Sequence, residues 1–185
     1  MTTIGDGSAG VNEFGSIIND DFINNQVIQG NVFSYQRLHD IAIDPNNILN
    51  LVFDANNVNK NNLIYLPLFF NAIGGPIEAR FYLNTVYSGG TDVSADIFNK
   101  YVTLINPPGM KIIKNPTIAP GDEGILGPEL RITSNGTPAS ASSGGETTDK
   151  VLSRLEKDTV YLVQLTNKDS KASNVTVGAT WIEFD

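Results

Sequence analysis

The sequence has no cysteine and a single histidine, His39, among its 185 residues. The absence of thiols excludes disulfide scaffolds, thiolate metal sites and cysteine nucleophiles. One imidazole leaves little material for acid–base chemistry, and no Gly-x-Ser-x-Gly motif supplies a serine nucleophile. We therefore expect no enzymatic activity and no cofactor, and we interpret His39 as a surface or turn residue.

Charge and long apolar runs are also scarce. Charged residues make up 17% of the chain, and 20 acidic residues against 12 basic ones give a net charge of −8. Nucleic-acid binding depends on clustered Lys and Arg, so we expect no nucleic-acid partner. The longest apolar run, residues 63–70, is shorter than the roughly 20 residues of a membrane-spanning helix and contains Pro67. The first residues also lack the basic and apolar segments of a secretion signal, and we expect no membrane partner.

The sequence is instead rich in turn formers placed between short β-type segments. It has 17 glycines, 9 prolines and several asparagine pairs, and asparagine tolerates the left-handed backbone angles of turns. Its 41% hydrophobic content is enough to fill a core. These features predict an all-β fold, specifically an antiparallel β-sandwich of jelly-roll type.

The predicted strands are rich in β-branched and aromatic residues, and several alternate apolar and polar positions with a period of two. They cover residues 26–35, 48–53, 63–70, 77–84, 101–105, 110–114, 129–133, 159–166 and 174–184. The last two are separated by a short polar turn, which predicts an antiparallel hairpin. Helical spacing of apolar residues after Asp92 predicts one short helix over residues 93–101.

We expect one β-sandwich domain over residues 26–185, preceded by an extended N-terminal arm over residues 1–25. Residues 134–149 contain no large apolar side chain and are expected to form a mobile surface loop. The arm carries isolated apolar side chains, which can become ordered in the groove of a neighbouring copy. These predicted contact residues are Ile4, Val11, Phe14, Ile17, Ile18, Phe22 and Ile23.

Three other motifs allow a functional interpretation beside a structural one. Residues 54–59 resemble a calcium loop, but Val58 occupies a ligand position of the EF-hand pattern, so we favour a plain turn and leave open a different cation site at Asp54. An acidic pair elsewhere leaves open a hydrolase, since glycosidases need two carboxylates. Tyr82 and Tyr161 lie on predicted strands, where core packing is the favoured role and a sugar-binding platform the alternative.

The C-terminal third resembles small virion proteins of tailed bacteriophages. In those proteins a strand with the pattern Tyr-Leu-x-x-Leu-Thr-Asn, here residues 161–167, precedes a polar turn and a terminal strand with Trp and Glu, here Trp181 and Glu183. Upstream, Gly90-Thr91 and Asn99-Lys100 resemble another stretch of the same proteins, with Lys where Arg is usual.

This resemblance implies a non-enzymatic β-sandwich protein of the phage capsid or its decorations. It implies self-association, as a homotrimer or another multimer, with the major capsid protein as a further partner. The protein is then made in the host cytoplasm and located in the virion, and the arm residues contact the oligomer or the virion. The alternative is a carbohydrate- or receptor-binding module of a virion fibre or tail.

Overall fold

In the part of the chain that the structure describes, the fold has two antiparallel β-sheets and one short α-helix. The computed structural model describes residues 20–101, 107–132, 143–146 and 153–185. Within these ranges, no helix has the length and apolar character needed to cross a membrane.

The elements follow one another with short connections. The helix α1 spans Asp20–Ile28, and a 3₁₀ turn spans Ser94–Asp96. The strands are β1 (Val32–Ile43), β2 (Ile48–Asp54), β3 (Asn62–Ile73), β4 (Ile77–Leu83), β5 (Thr91–Asp92), β6 (Phe98–Asn99), β7 (Lys111–Lys114), β8 (Ile125–Ile132), β9 (Ser143–Glu146), β10 (Ser153–Leu155), β11 (Val160–Asn167) and β12 (Ser173–Phe184).

Within the described residues each sheet has six strands, and the first four strands, β1 to β4, alternate between the two sheets. The first sheet has the order β10-β3-β12-β1-β6, with β9 pairing with β3 as well. The second has the order β5-β7-β2-β11-β4-β8. All pairings between these strands are antiparallel. The predicted all-β antiparallel sandwich is thus confirmed.

The main core lies between the inner faces of the two sheets. Leu49, Leu51 and Phe53 of β2 face it from one sheet, while Val177 and Trp181 of β12 face it from the other. The three β2 residues are two positions apart and the two β12 residues four positions apart, which is the strand periodicity seen in the sequence. Trp181 is fully buried and stacks on the ring of Phe33, with centroids 6.0 Å apart.

The predicted C-terminal hairpin is wrong. β11 pairs with β2 and β4 in the second sheet, whereas β12 pairs with β1 and β3 in the first. The polar segment 168–172 therefore crosses from one sheet to the other. The reason is that each strand has an apolar inner face. The two sheets pack face to face, so Leu165 of β11 and Val175 of β12 are buried in the same core cluster without pairing of their strands.

Other predicted boundaries also change. Residues 26–28, predicted as the start of a strand, end helix α1, and β1 begins at Val32. The predicted helix over residues 93–101 is reduced to the 3₁₀ turn Ser94–Asp96 and the two-residue strand β6. β8 starts earlier than the predicted strand 129–133, and the predicted strand 101–105 lies almost entirely outside the described residues.

Asparagines occupy turns, as expected from their tolerance of positive φ. Asn46, Asn84 and Asn115 have φ values of 61°, 61° and 50°. Each of these residues lies close to the start or the end of a strand. The asparagines that the sequence predicts in turns therefore mark where strands end.

Candidate functional site

Of the predicted arm, residues 1–25, the structure describes residues 20–25. Ile4, Val11, Phe14, Ile17 and Ile18 lie outside the described residues. Phe22 and Ile23 lie on helix α1 and are half-buried, so residues 20–25 are helical rather than extended.

Phe22 packs against the body of its own chain. Its ring meets that of Phe184 edge to face, with centroids 5.5 Å apart and planes at 73°. This contact joins α1 to the C-terminal end of β12. Among the predicted contact residues, Phe22 therefore has an intramolecular role.

The sequence contains a helix-termination signal at the end of α1, a glycine at residue 30, which an analysis of strand periodicity does not detect. Gly30 has a φ of 73°, its N–H bonds to the Val27 carbonyl, and the Asn31 N–H bonds to the Gln26 carbonyl. This is the glycine-terminated Schellman pattern of a helix C-terminus. Two aspartates at the N-terminus of the helix, where negative charge is favourable, complete a helix signature.

Four exposed apolar side chains lie on or beside β4 and β8 at one corner of the second sheet, and we call them the corner patch: Leu83, Val86, Ile125 and Leu126. Leu83 and Ile125 are directly paired across β4 and β8. The Val86 N–H bonds to the Asp122 carbonyl at 2.9 Å, which holds Val86 beside the same turn. Val86 is 62% exposed and Ile125 is 64% exposed.

Leu126 continues a buried row on the outer face of the second sheet, whereas Leu83 and Ile125, one position along the paired strands, lie on the opposite face. Cross-strand pairing aligns Ile113, Val52, Leu162 and Tyr82 on neighbouring strands. The first three form a small second core, against which Tyr82 packs. Leu126 pairs with Tyr82 on the next strand but is 53% exposed. The apolar row thus passes from covered to uncovered at the edge strand β8.

Three further exposed apolar side chains lie on or near strand β6 and the end of α1, at the other edge of the sandwich, and we call them the edge patch: Ile28, Phe98 and Tyr101. Phe98 pairs with Ser34 of β1, and the Asn99 side chain donates a hydrogen bond of 2.6 Å to the Gly30 carbonyl, next to the end of α1. Ile28 is 62% exposed and Phe98 is 49% exposed. Isolated exposed apolar side chains are ordinary, but grouped ones mark interaction surfaces.

A buried carboxylate anchors the loop that precedes β7. Glu183 accepts hydrogen bonds from the Gly109 N–H at 2.9 Å, the Met110 N–H at 3.1 Å and the Trp181 indole N–H at 2.9 Å. The close approach leaves no room for a side chain at residue 109, because a Cβ there lies 2.7 Å from Val58 Cα. These bonds use both carboxylate oxygens, which gives Glu183 a structural role.

The candidate cation ligand Asp54 also has structural partners. One carboxylate oxygen accepts from the Asn56 N–H at 2.9 Å, and the other accepts from the Tyr87 hydroxyl at 2.7 Å. Partial burial, followed by this bond to Asp54, raises the pKa of Tyr87 to about 12. Among the described residues, no three His, Asp or Glu side chains are grouped so as to hold a metal ion.

The two tyrosines considered as a sugar platform both pack against apolar clusters. Tyr161 packs against the main core, and its hydroxyl donates to the Glu156 carbonyl and accepts from the Glu156 N–H. Burial raises the pKa of Tyr161. Tyr82 packs against the second core. Core packing, the favoured role in the sequence, accounts for both rings.

His39 lies in β1 where the pairing with β12 is irregular, between Arg37 and Ile41. Its side chain is outside the described residues.

Comparison of the chain with protein-family models, with curated protein sequences and with solved structures finds no match.

Proposed function

We propose that the protein is a non-enzymatic structural component of a tailed-phage virion, associated with the capsid and assembled as a homo-oligomer. The observation that carries this proposal is the grouping of exposed apolar side chains into the corner patch and the edge patch. Leaving such groups in water is unfavourable by roughly 25 cal/mol per Å² of apolar surface, so their burial against protein stabilises an assembly.

The strand order supports the jelly-roll interpretation of the fold. One sheet has β1, β12, β3 and then β9 or β10 side by side, and the other has β2, β11, β4 and β8. This interleaving of early and late strands is what two nested Greek keys produce, and jelly rolls are common in viral capsid proteins. The strand order supports the proposal by analogy with other proteins of this fold. The exposed apolar side chains support it from the surface of this chain itself.

The net charge of −8 supports the same proposal. An acidic protein is repelled by packaged DNA and by anionic cell surfaces, so its contacts with a capsid rest on apolar and hydrogen-bonded surfaces.

The direct test is to find the chain in particles. Virions are purified from a lysate of the infected cells that produce the protein. We expect mass spectrometry of these virions to detect the chain in a constant ratio to the major capsid protein. Its absence from purified particles, while it is abundant in the lysate, would contradict the proposal.

The arm is tested separately by deleting residues 1–19. This deletion is sharper than removal of residues 1–25, because it leaves helix α1 and the contact between Phe22 and Phe184 in place. We expect the shortened chain to fold and to show reduced incorporation into particles. Unchanged incorporation would exclude the arm, with Ile4, Val11, Phe14, Ile17 and Ile18, as a virion contact.

A further inference from the structure

We draw no further inference here: the strongest candidate, the polar cleft of about 250 Å³ that Asp44, Asn47, Lys114 and Asn115 line where β1 and β7 end and β2 begins, carries nothing, because three of these four side chains are exposed to solvent and, among the residues that the structure describes, no buried polar side chain without a partner lies there to indicate a ligand.

Discussion

At the scale of single residues, the sequence shows little reactive chemistry, and the polar side chains that the structure buries hold loops in place. Glu183 and Asp54 are both more than nine-tenths buried, and every contact described for their carboxylates is a hydrogen bond within the chain. Their acidic character alone does not reveal this, because the donors come from distant segments such as residues 109 and 110 and residue 87.

Replacing Glu183 by alanine should lower the free energy of unfolding by about 2–4 kcal/mol, because three buried N–H donors lose a charged acceptor. Urea unfolding followed by the fluorescence of Trp181 measures the change. Glu156→Ala is the matched control, since that side chain is exposed, and should change the free energy by less than about 0.5 kcal/mol. An equal effect of both substitutions would contradict the anchoring role of Glu183.

Tyr87 should make the protein sensitive to alkaline pH. Its folded pKa of about 12 lies above the ordinary value of 10.0, so its contribution to stability is complete below pH 10 and is lost as the pH rises through about 12. We expect the difference in unfolding free energy between the parent and Tyr87→Phe to shrink over this window. Denaturant titrations at several pH values measure it.

Tyr82→Phe is the matched control, because Tyr82 packs against the same second core. This variant should keep the alkaline loss of stability. If Tyr87→Phe shows the same pH profile as the parent chain, the bond between Tyr87 and Asp54 is not the cause.

At the scale of elements, the connections decide which strands become neighbours. Asn167 is fully buried at the end of β11, where its side-chain N–H groups donate to the Ile43 carbonyl at 2.7 Å and the Lys171 carbonyl at 2.8 Å. Its side-chain oxygen accepts from the Asp169 N–H. These bonds tie the crossing segment between β11 and β12 to the end of β1.

Asn167→Asp should destabilise the fold by about 2–3 kcal/mol, because a carboxylate cannot donate to the two carbonyls and places a charge beside them. Thermal and urea unfolding measure the loss. Asn174→Asp on β12 provides the control, since Asn174 is exposed and a small effect is expected there. A loss at residue 174 as large as that at residue 167 would indicate a general charge effect.

Strand prediction succeeded where the pattern was local. The alternation over residues 77–83 appears as β4, and the segments around 111–114, 160–167 and 173–184 appear as strands close to their predicted bounds. The hairpin prediction failed because a short polar turn permits either a return in the same sheet or a crossing to the other. The choice depends on partners such as Val52 for β11 and Ala72 for β12, which lie about one hundred residues away in the chain.

At the scale of the whole molecule, the first and last strands hold the sandwich together. β12 is the central strand of the first sheet, between β1 and β3, and it contributes Trp181 to the core. Every long strand of that sheet therefore depends on the C-terminal segment.

A chain that ends at Asn167 should not fold, because β1 and β3 lose their common partner and the core loses its largest side chain. The expected result is the absence of a cooperative transition in calorimetry or urea unfolding. Removal of the exposed Asp185 alone is the control and should leave the transition in place. Cooperative unfolding of the shortened chain would show that the first sheet is stable without β12.

The apolar patches belong to this scale as well. In the sequence, Leu83 lies on the apolar face of the predicted strand 77–84, whereas Val86, Ile125 and Leu126 lie outside every predicted strand. Among the residues that the structure describes, β8 is the last strand of the second sheet, and these side chains remain exposed there. Exposure of this kind has no local sequence signature, because it depends on which strands lie side by side.

Composition by itself determined that the protein lacks thiol and nearly lacks imidazole chemistry, and periodicity with turn formers determined an all-β sandwich, because both depend on residues close together in the chain. Tertiary structure decided which strands belong to which sheet, that Phe22 and Ile23 lie on a helix, and which apolar side chains stay exposed to solvent. The physical reason is that these outcomes minimise the exposed apolar surface of the whole chain, and that surface is defined only once distant strands have packed together.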